Sequence, residues 1–397
     1  MAYPKRRNYP RRNKNYRSYN SRKKRFSSQD KKLDESLFIK KAKGIISEKP
    51  FADGSEFANY DLVDQLKANI AQHGYQTPTQ IQNQVIPQVL AGKDIIGIAN
   101  TGTGKTAAFL TGLINKAYLD RSQRALIIVP TRELAQQISQ EFNRLAKGLN
   151  LAITTIIGGV SINRQINDLK STPNFIAGTP GRLKDLIKRE KIKPASFQNV
   201  VLDEVDRMVD MGFIKDIKYL ISLLPSHRQG LFFSATIDDK TEQILQGFAQ
   251  NPIRVSVKHQ DSLDNIDQDI IKITNRGAKI DVLRKLLSQP GFKKVLIFGR
   301  TKWGMEKLAR LLTQYGIRAT AIHGNKSQHQ RQRALEQFKN NQIQVLTATD
   351  VASRGLDIDN VTQVINYDAP TTYDDYIHRI GRTGRMGKKG LALTFVE

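Results

Sequence analysis

The most constraining stretch of this chain runs from Asp94 to Thr106. The apolar run Ile95-Ile96-Gly97-Ile98-Ala99 has the length and continuity of a buried strand, and Asn100-Thr101-Gly102-Thr103-Gly104-Lys105-Thr106 breaks it abruptly. A helical stretch follows at once, from Thr106 to Tyr118. Strand, glycine-rich turn and helix in this order form a phosphate-binding loop, because bare glycine backbone lets amide N–H groups close round phosphate oxygens at a helix N-terminus. Lys105 would reach the terminal phosphates and Thr106 would hold Mg²⁺. One position departs from the usual pattern, Ala99 standing where it has Gly. The alternative is a plain strand-to-helix turn.

A chain of 397 residues exceeds one ordinary core, so two domains are expected. The absence of cysteine excludes disulfides and thiolate metal sites, and the six histidines show no ligand spacing. No apolar run approaches the roughly 20 residues that cross a bilayer, and the basic N-terminus has no apolar core behind it. A cytoplasmic protein without membrane contact is expected, and a monomer. The net charge of +26 calls for a polyanionic partner, nucleic acid first. Met1 to Lys32 holds thirteen Lys or Arg against the single acid Asp30, a net +12, so the remainder is basic as well.

That tail interleaves its cations with Tyr3, Tyr9, Tyr16, Tyr19 and Phe26 and has nothing to bury. It is expected to be disordered and to bind RNA, cations drawing in phosphates and rings stacking on bases; a solubilising or targeting tail is the alternative. Residues 33–55 form an N-terminal extension in which Asp34 to Ile46 could be a short amphipathic helix. From Phe57 onward strands and helices alternate. Buried strands are expected at Ala125 to Val129, Phe175 to Ala177, Val200 to Leu202 and Gly230 to Phe233. A second series follows at Asp269 to Ile273, Val295 to Phe298, Arg318 to Ile322, Gln344 to Ala348, Val361 to Asn366 and Ala392 to Val396. Such alternation indicates α/β domains with mostly parallel sheets covered by helices on both faces, one over 56–257 and one over 268–397, joined by the polar linker 258–267.

A nucleotide hydrolase also needs a carboxylate for the metal and a polar group to orient the attacking water. Asp203-Glu204-Val205-Asp206 follows the apolar Val200-Val201-Leu202 and so lies at a strand's C-terminal end, where α/β sheets place ligands. Asp203 would help hold Mg²⁺, and Glu204 would orient or deprotonate the nucleophile.

With this motif the chain resembles the DEAD-box RNA helicases of helicase superfamily 2, over Phe57 to the C-terminus. The resemblance implies two tandem RecA-like domains, ATP and Mg²⁺ as cofactors, and RNA as partner. Phe57, Gly74-Tyr75 and Pro78-Thr79-Gln80-Ile81-Gln82 resemble the family's Q motif. It implies that Gln82 reads the adenine edge, Tyr75 stacks on it and Phe57 supports the site. Thr101, Gly102, Thr103, Gly104, Lys105 and Thr106 would hold the phosphates. Thr131 and Arg132 of Pro130-Thr131-Arg132-Glu133-Leu134-Ala135, Gly158-Gly159, and Thr179-Pro180-Gly181-Arg182 resemble the first domain's RNA-contacting segments. Ser234-Ala235-Thr236 resembles the coupling motif, bonded to Asp206. In the second domain Thr301, Gln328, Arg331 and Thr349 would meet RNA, and Gly355 and Asp357 the nucleotide. His378-Arg379-Ile380-Gly381-Arg382-Thr383-Gly384-Arg385 resembles the sixth motif, in which Arg382 and Arg385 would be arginine fingers completing catalysis with Lys105 and Glu204.

The acidic motif carries Val205 where the family has Ala, and Gly299-Arg300 and Asn325 also depart from the usual pattern. The chain ends soon after its last strand, so the basic tail would stand in for a C-terminal RNA-binding module. Three functions are open: an ATP-driven unwinder of short RNA duplexes with little sequence preference, an RNA clamp or annealing chaperone with weak ATP turnover, and a DNA translocase. Trp303 is expected to pack at a helix start.

Overall fold

In a computed structural model of the chain, the residues described are 33–42, 56–99, 102–257, 264–350, 361–384 and 388–396. The basic tail, Thr101, Gly355, Asp357 and Arg385 lie outside them.

Among the described residues thirteen strands form two sheets. The first contains β1 (Ile95–Ala99), β2 (Ala125–Ile128), β3 (Ile153–Ile156), β4 (Phe175–Gly178), β5 (Asn199–Leu202), β6 (Gln229–Ser234) and β7 (Ile253–Val257), in the order β3-β4-β2-β5-β6-β1-β7. The second contains β8 (Ile266–Lys272), β9 (Val295–Phe298), β10 (Ala319–Ile322), β11 (Val345–Ala348), β12 (Gln363–Asn366) and β13 (Gly390–Val396), in the order β10-β11-β9-β12-β13-β8. Every strand pair within the sheets is parallel. Side chains alternate between faces with the period of the pleat, and both faces are dry. Val201, Leu231 and Phe233 join one apolar cluster while Val200, Leu202 and Phe232 join another; Val295 and Ile297 oppose Leu296 and Phe298 in the second sheet. These are two RecA-like domains, with helices covering both faces of each sheet. Among the described residues no helix is long and apolar enough to cross a membrane.

Two strands escaped the sequence reading, and both are edges of the first sheet. Ile-Thr-Thr-Ile in β3 and Ile-Arg-Val-Ser-Val in β7 alternate buried with more exposed positions. An edge strand meets water and so lacks the continuous apolar run that marks a central strand. β8 begins at Ile266, inside the stretch read as linker, and corrects that boundary.

The segment 33–42 also differs from expectation. Instead of an amphipathic α-helix it forms a single 3₁₀ turn, Glu35–Phe38, and then an extended stretch lying along β8. Lys40 N–H donates to Gln268 O at 3.0 Å and Gln268 N–H returns the bond to Lys40 O at 2.8 Å, an antiparallel pairing. Lys40 Nζ reaches Asp264 at 2.6 Å, and Ala42 N–H donates to Asp267 at 2.9 Å. Phe38 is 2% exposed and meets the Tyr376 ring edge-on at 4.8 Å between centroids. Chain that precedes the first domain thus covers an open edge of the second domain's sheet, satisfying backbone groups there that would otherwise face water.

Candidate functional site

Glycine decides the local shape of the phosphate loop. Gly104 sits at φ +94° as the residue before the helix Lys105–Leu119, and a Cβ there would lie 2.6 Å from Gln82 Nε2. Neither the conformation nor the space suits another residue. Gly102 also has positive φ. Lys105 is 6% exposed; its ammonium donates to Ala99 O at 2.6 Å and lies 3.9 Å from Asp203 Oδ1. Thr106 stands beside it in the helix's first turn.

The Q-motif residues are tied directly to this loop. Thr79 caps the helix Gln80–Leu90 in a capping box with Gln82. Thr79 Oγ1 donates to Thr103 O at 2.9 Å, and Gln82 Nε2 donates to Gly104 O at 3.3 Å. Gln82 Oε1 accepts from Thr79 N–H at 2.9 Å. A side-chain amide can take part in four bonds, so these two do not exhaust it. The Tyr75 ring lies 6.2 Å from buried Phe57, and its hydroxyl donates to Glu141 at 2.8 Å.

The acidic turn leaves the C-terminal end of β5. Asp203 is 2% exposed, and burial pushes its carboxyl up to about 6 despite the opposing charge of Lys105; Glu204 and Asp206 add to the rise. A buried carboxylate short of positive charge is a natural ligand for a divalent cation, which would draw its pKa back down. Glu204 adopts left-handed backbone, φ +58°, the sparsely populated conformation that marks strained functional turns. Its carboxylate is held by the guanidinium of Arg207, one turn on in the helix Val205–Asp210. Asp206 Oδ2 accepts from Ala235 N–H (3.0 Å), Thr236 N–H (2.9 Å) and Thr236 Oγ1 (3.1 Å). Asp206 N–H donates to Ser234 Oγ at 3.2 Å. The end of β6 is therefore bonded to the acidic turn at four points. Val205 is fully buried and packs with Leu202 and Met208.

Arg382 comes from the other domain into this neighbourhood. It is 4% exposed and, with His378, lines a cavity of about 240 Å³ whose other walls include Glu204, Asp206, Arg207 and Thr236. Arg379, two residues before Gly381, has a different job. Its guanidinium grips Asp350 through two bonds (2.6 and 2.8 Å) and also reaches Asn366 and Asp368 O. That clamp ties the helix Tyr373–Ile380 to the ends of β11 and β12.

The segments assigned to RNA occupy the C-terminal rims of both sheets. Thr131 caps the helix Arg132–Leu145, and the Arg132 guanidinium lies over Gly158-Gly159, so closely that a Cβ on Gly159 would sit 2.2 Å from Arg132 Nη1. Arg182 donates to Val160 O at 3.2 Å, so both arginines brace the diglycine turn. Thr179 precedes the helix Pro180–Lys188, with Pro180 as its first residue, and a Cβ on Gly181 would face open space. In the second domain Thr301 caps the helix Lys302–Gln314, and Thr349 follows β11.

Gln328 and Arg331 are engaged differently. Gln328 is 5% exposed and donates to Glu133 Oε1 and Gln136 Oε1, both at 3.2 Å. Arg331 Nε lies 2.9 Å from Glu133 Oε1 at an angle that makes an ion pair rather than a hydrogen bond. Both side chains turn to the first domain. The residues that sequence reasoning left without a role are thus Glu133, Gln136, Arg207 and the Arg379–Asp350 pair. Glu133 lies within a motif quoted for its neighbours, and Arg207 stands three residues after Glu204, the helical spacing of an ion pair.

A phosphate loop and acidic turn on one parallel sheet, faced by an arginine from a second domain of like build, define the tandem RecA-like class. Residues 79–244 match the DEAD/DEAH box helicase family, and residues 278–387 match the helicase conserved C-terminal domain. The ATP-dependent RNA helicase CshA of Listeria monocytogenes is 43% identical over 346 residues, which make up 86% of this chain and 66% of that protein; the chain thus spans about two thirds of the relative's length. Saccharomyces cerevisiae Dbp5 bound to RNA and ADP BeF3 superposes with a TM-score of 0.77 at 31% identity, over 86% of this chain and 89% of the other. A Dbp5 variant bound to Nup159, Gle1, IP6 and ADP, at the same identity and over 85% and 89%, gives 0.60. This chain belongs to the DEAD-box family of ATP-dependent RNA helicases.

Proposed function

We propose that the chain hydrolyses ATP to separate short RNA duplexes or to remodel RNA–protein complexes, through closure of its two domains. The observation that carries this reading is the cavity shared by Glu204 and Asp206 of one domain with His378 and Arg382 of the other. Its support is the greater likeness, at equal identity, to Dbp5 holding RNA and a nucleotide analogue than to the Dbp5 variant holding ADP.

The residues divide the work as follows. The Gly102–Gly104 backbone and Lys105 hold the triphosphate, and Gln82 with Tyr75 and Phe57 selects adenine. Thr106 and Asp203 would hold Mg²⁺, which would supply positive charge to the phosphate oxygens. Glu204, its rotamer set by Arg207, orients the attacking water. Arg382, with Arg385 beside it in sequence, supplies positive charge from across the cleft. Gly355 and Asp357 belong to the same nucleotide-facing group. Asp206, bonded to Ser234 and Thr236, carries a change at the acidic turn to the end of β6. Thr131, Arg132, Gly158, Gly159, Thr179, Pro180, Gly181, Arg182, Thr301 and Thr349 line an RNA track of hydroxyls, amides and cations. Such groups grip sugar and phosphate, so little sequence preference follows, and the 2′-OH distinguishes RNA from DNA. Gln328 and Arg331 clasp the closed arrangement through Glu133 and Gln136.

The test is ATP turnover with and without single-stranded RNA, alongside strand release from a short duplex, for the chain and Lys105→Ala. RNA-stimulated turnover and ATP-dependent release should both vanish in the variant. Release at the unaltered rate by Lys105→Ala would instead make the chain an RNA clamp, and equal stimulation by DNA would make it a DNA translocase.

A further inference from the structure

Trp303 is the chain's single tryptophan, and it is 77% exposed. The expectation that it packs at a helix start is therefore corrected. The helix Lys302–Gln314 buries Met305, Leu308, Ala309 and Leu312, and the indole stands on the opposite face. A solvent-exposed tryptophan does nothing for the core and leaves a large apolar ring in water, the signature of a contact made with something else.

Its position says with what. Trp303 lies in the first turn after β9, whose neighbours are β11 and β12, with β10 next beyond β11. The strands are parallel, so the loops leaving their C-terminal ends share one rim: Thr301 after β9, Thr349 after β11 and His323 to Ser327 after β10. The charge around the indole is mainly positive, although the Asp368 carboxylate accepts from Arg300 N–H at 2.8 Å and Glu306 lies 3.6 Å from Arg310. Arg300 and Lys302 are exposed beside it, and Lys307 and Arg310 follow at helical spacings of four and seven on the same outer stripe. Lys302 extends over Gly324, its ammonium 3.4 Å from where a side chain there would begin. The one acid of this helix, Glu306, is engaged by His323 at 2.9 Å and Lys326 at 3.2 Å.

Resting on the RNA reading above, we propose that Trp303 is a base-stacking platform that extends the RNA track on the second domain. An unpaired base lies on the indole, and Arg300, Lys302 and Lys307 hold the phosphates on either side of it. A flat ring among cations is the general solution for single-stranded nucleic acid, since every base has a π-face and every linkage a charge. This adds a contact to the base where the remainder of the track grips backbone, and it favours purines, which offer the larger stacking area.

The experiment uses the full chain and its own fluorophore. A fluorescein-labelled single-stranded RNA 12-mer is titrated while label anisotropy and tryptophan emission are read together, and the titration is repeated with an RNA whose central bases are abasic. Emission should be quenched in step with anisotropy, and the abasic RNA should bind with much weaker quenching. Trp303→Ala should weaken binding about tenfold, the size of one lost base–aromatic stack, with Trp303→Phe recovering most of it and saturated ATP turnover unchanged in both. Rising anisotropy with unmoved emission, or wild-type affinity in Trp303→Ala, overturns the platform and leaves the RNA reading standing. No anisotropy rise at all overturns both. Emission that responds to an acidic polypeptide such as polyglutamate and not to RNA assigns the indole to a protein partner instead.

Discussion

The two domains share a parallel α/β plan, yet one is self-contained and the other borrows. In the first, the charged groups of the phosphate loop and acidic turn find partners within the domain: Lys105 near Asp203, Glu204 on Arg207, Asp206 on Ala235 and Thr236. In the second, the sheet edge at β8 is covered by Leu33 to Ala42, chain that belongs in sequence before the first domain. Its Arg331 is paired with Glu133 of the other domain, and its Gln328 donates to Glu133 and Gln136 there. A domain that completes its own electrostatics can bind ligand alone. One that depends on neighbours for burial and charge has properties that change with arrangement, as the proposed closure requires.

The sharpest break comes from Arg382→Ala. With the arginine supplied from the borrowing side, RNA-stimulated ATP turnover should fall by about 10³, the scale of an arginine finger, while nucleotide affinity of the first domain changes little. A loss below about threefold would mean that the first domain is catalytically complete.

Next in size is Phe38→Ala. Removing this buried ring should cost about 3 kcal/mol, and the loss should appear in the second domain's unfolding by hydrogen exchange at β8 and β13. Uniform loss across both sheets would deny that the segment serves one domain. The clasp is tested by the double-mutant cycle of Glu133→Gln and Arg331→Met. Each single change leaves a partner buried and unpaired, so RNA-stimulated turnover should fall by about tenfold in each, with a coupling of about 2 kcal/mol. Additive losses would show that the two never act together.

The smallest effect lies wholly inside the second domain. Burial alone would raise the Glu306 carboxyl, but hydrogen bonds from His323 and Lys326, with their charges, outweigh it and hold the group below its ordinary range. A depressed carboxylate stabilises above its unfolded pKa and ceases to as pH falls through the folded one. Glu306→Gln should therefore cost about 1 kcal/mol at pH 7, a gap that closes as denaturation is followed below pH of about 4.

Much of the nucleotide half was legible before any coordinates. The strand ending at Ala99, the lysine that opens the next helix and the acids after Leu202 are local patterns, and the structure carries each where it was expected. What escaped has a common physical character. β3 and β7 lie at edges, where alternation replaces continuous apolarity; Glu133 and Gln136 acquire partners nearly two hundred residues away; Phe38 finds its pocket only because β8, β13 and the helix Tyr373–Ile380 converge on it.

The sequence by itself determined which residues bend, which carry charge and which strands are buried on both faces, because backbone conformation and apolar runs are settled over a few neighbouring positions. Only the tertiary structure decided that Arg379 grips Asp350 while Arg382 enters the cleft, that Gln328 and Arg331 turn to the other domain, and that Trp303 meets solvent. Those outcomes depend on desolvation and on which charges arrive within a few ångströms, and distance along a chain carries no record of either.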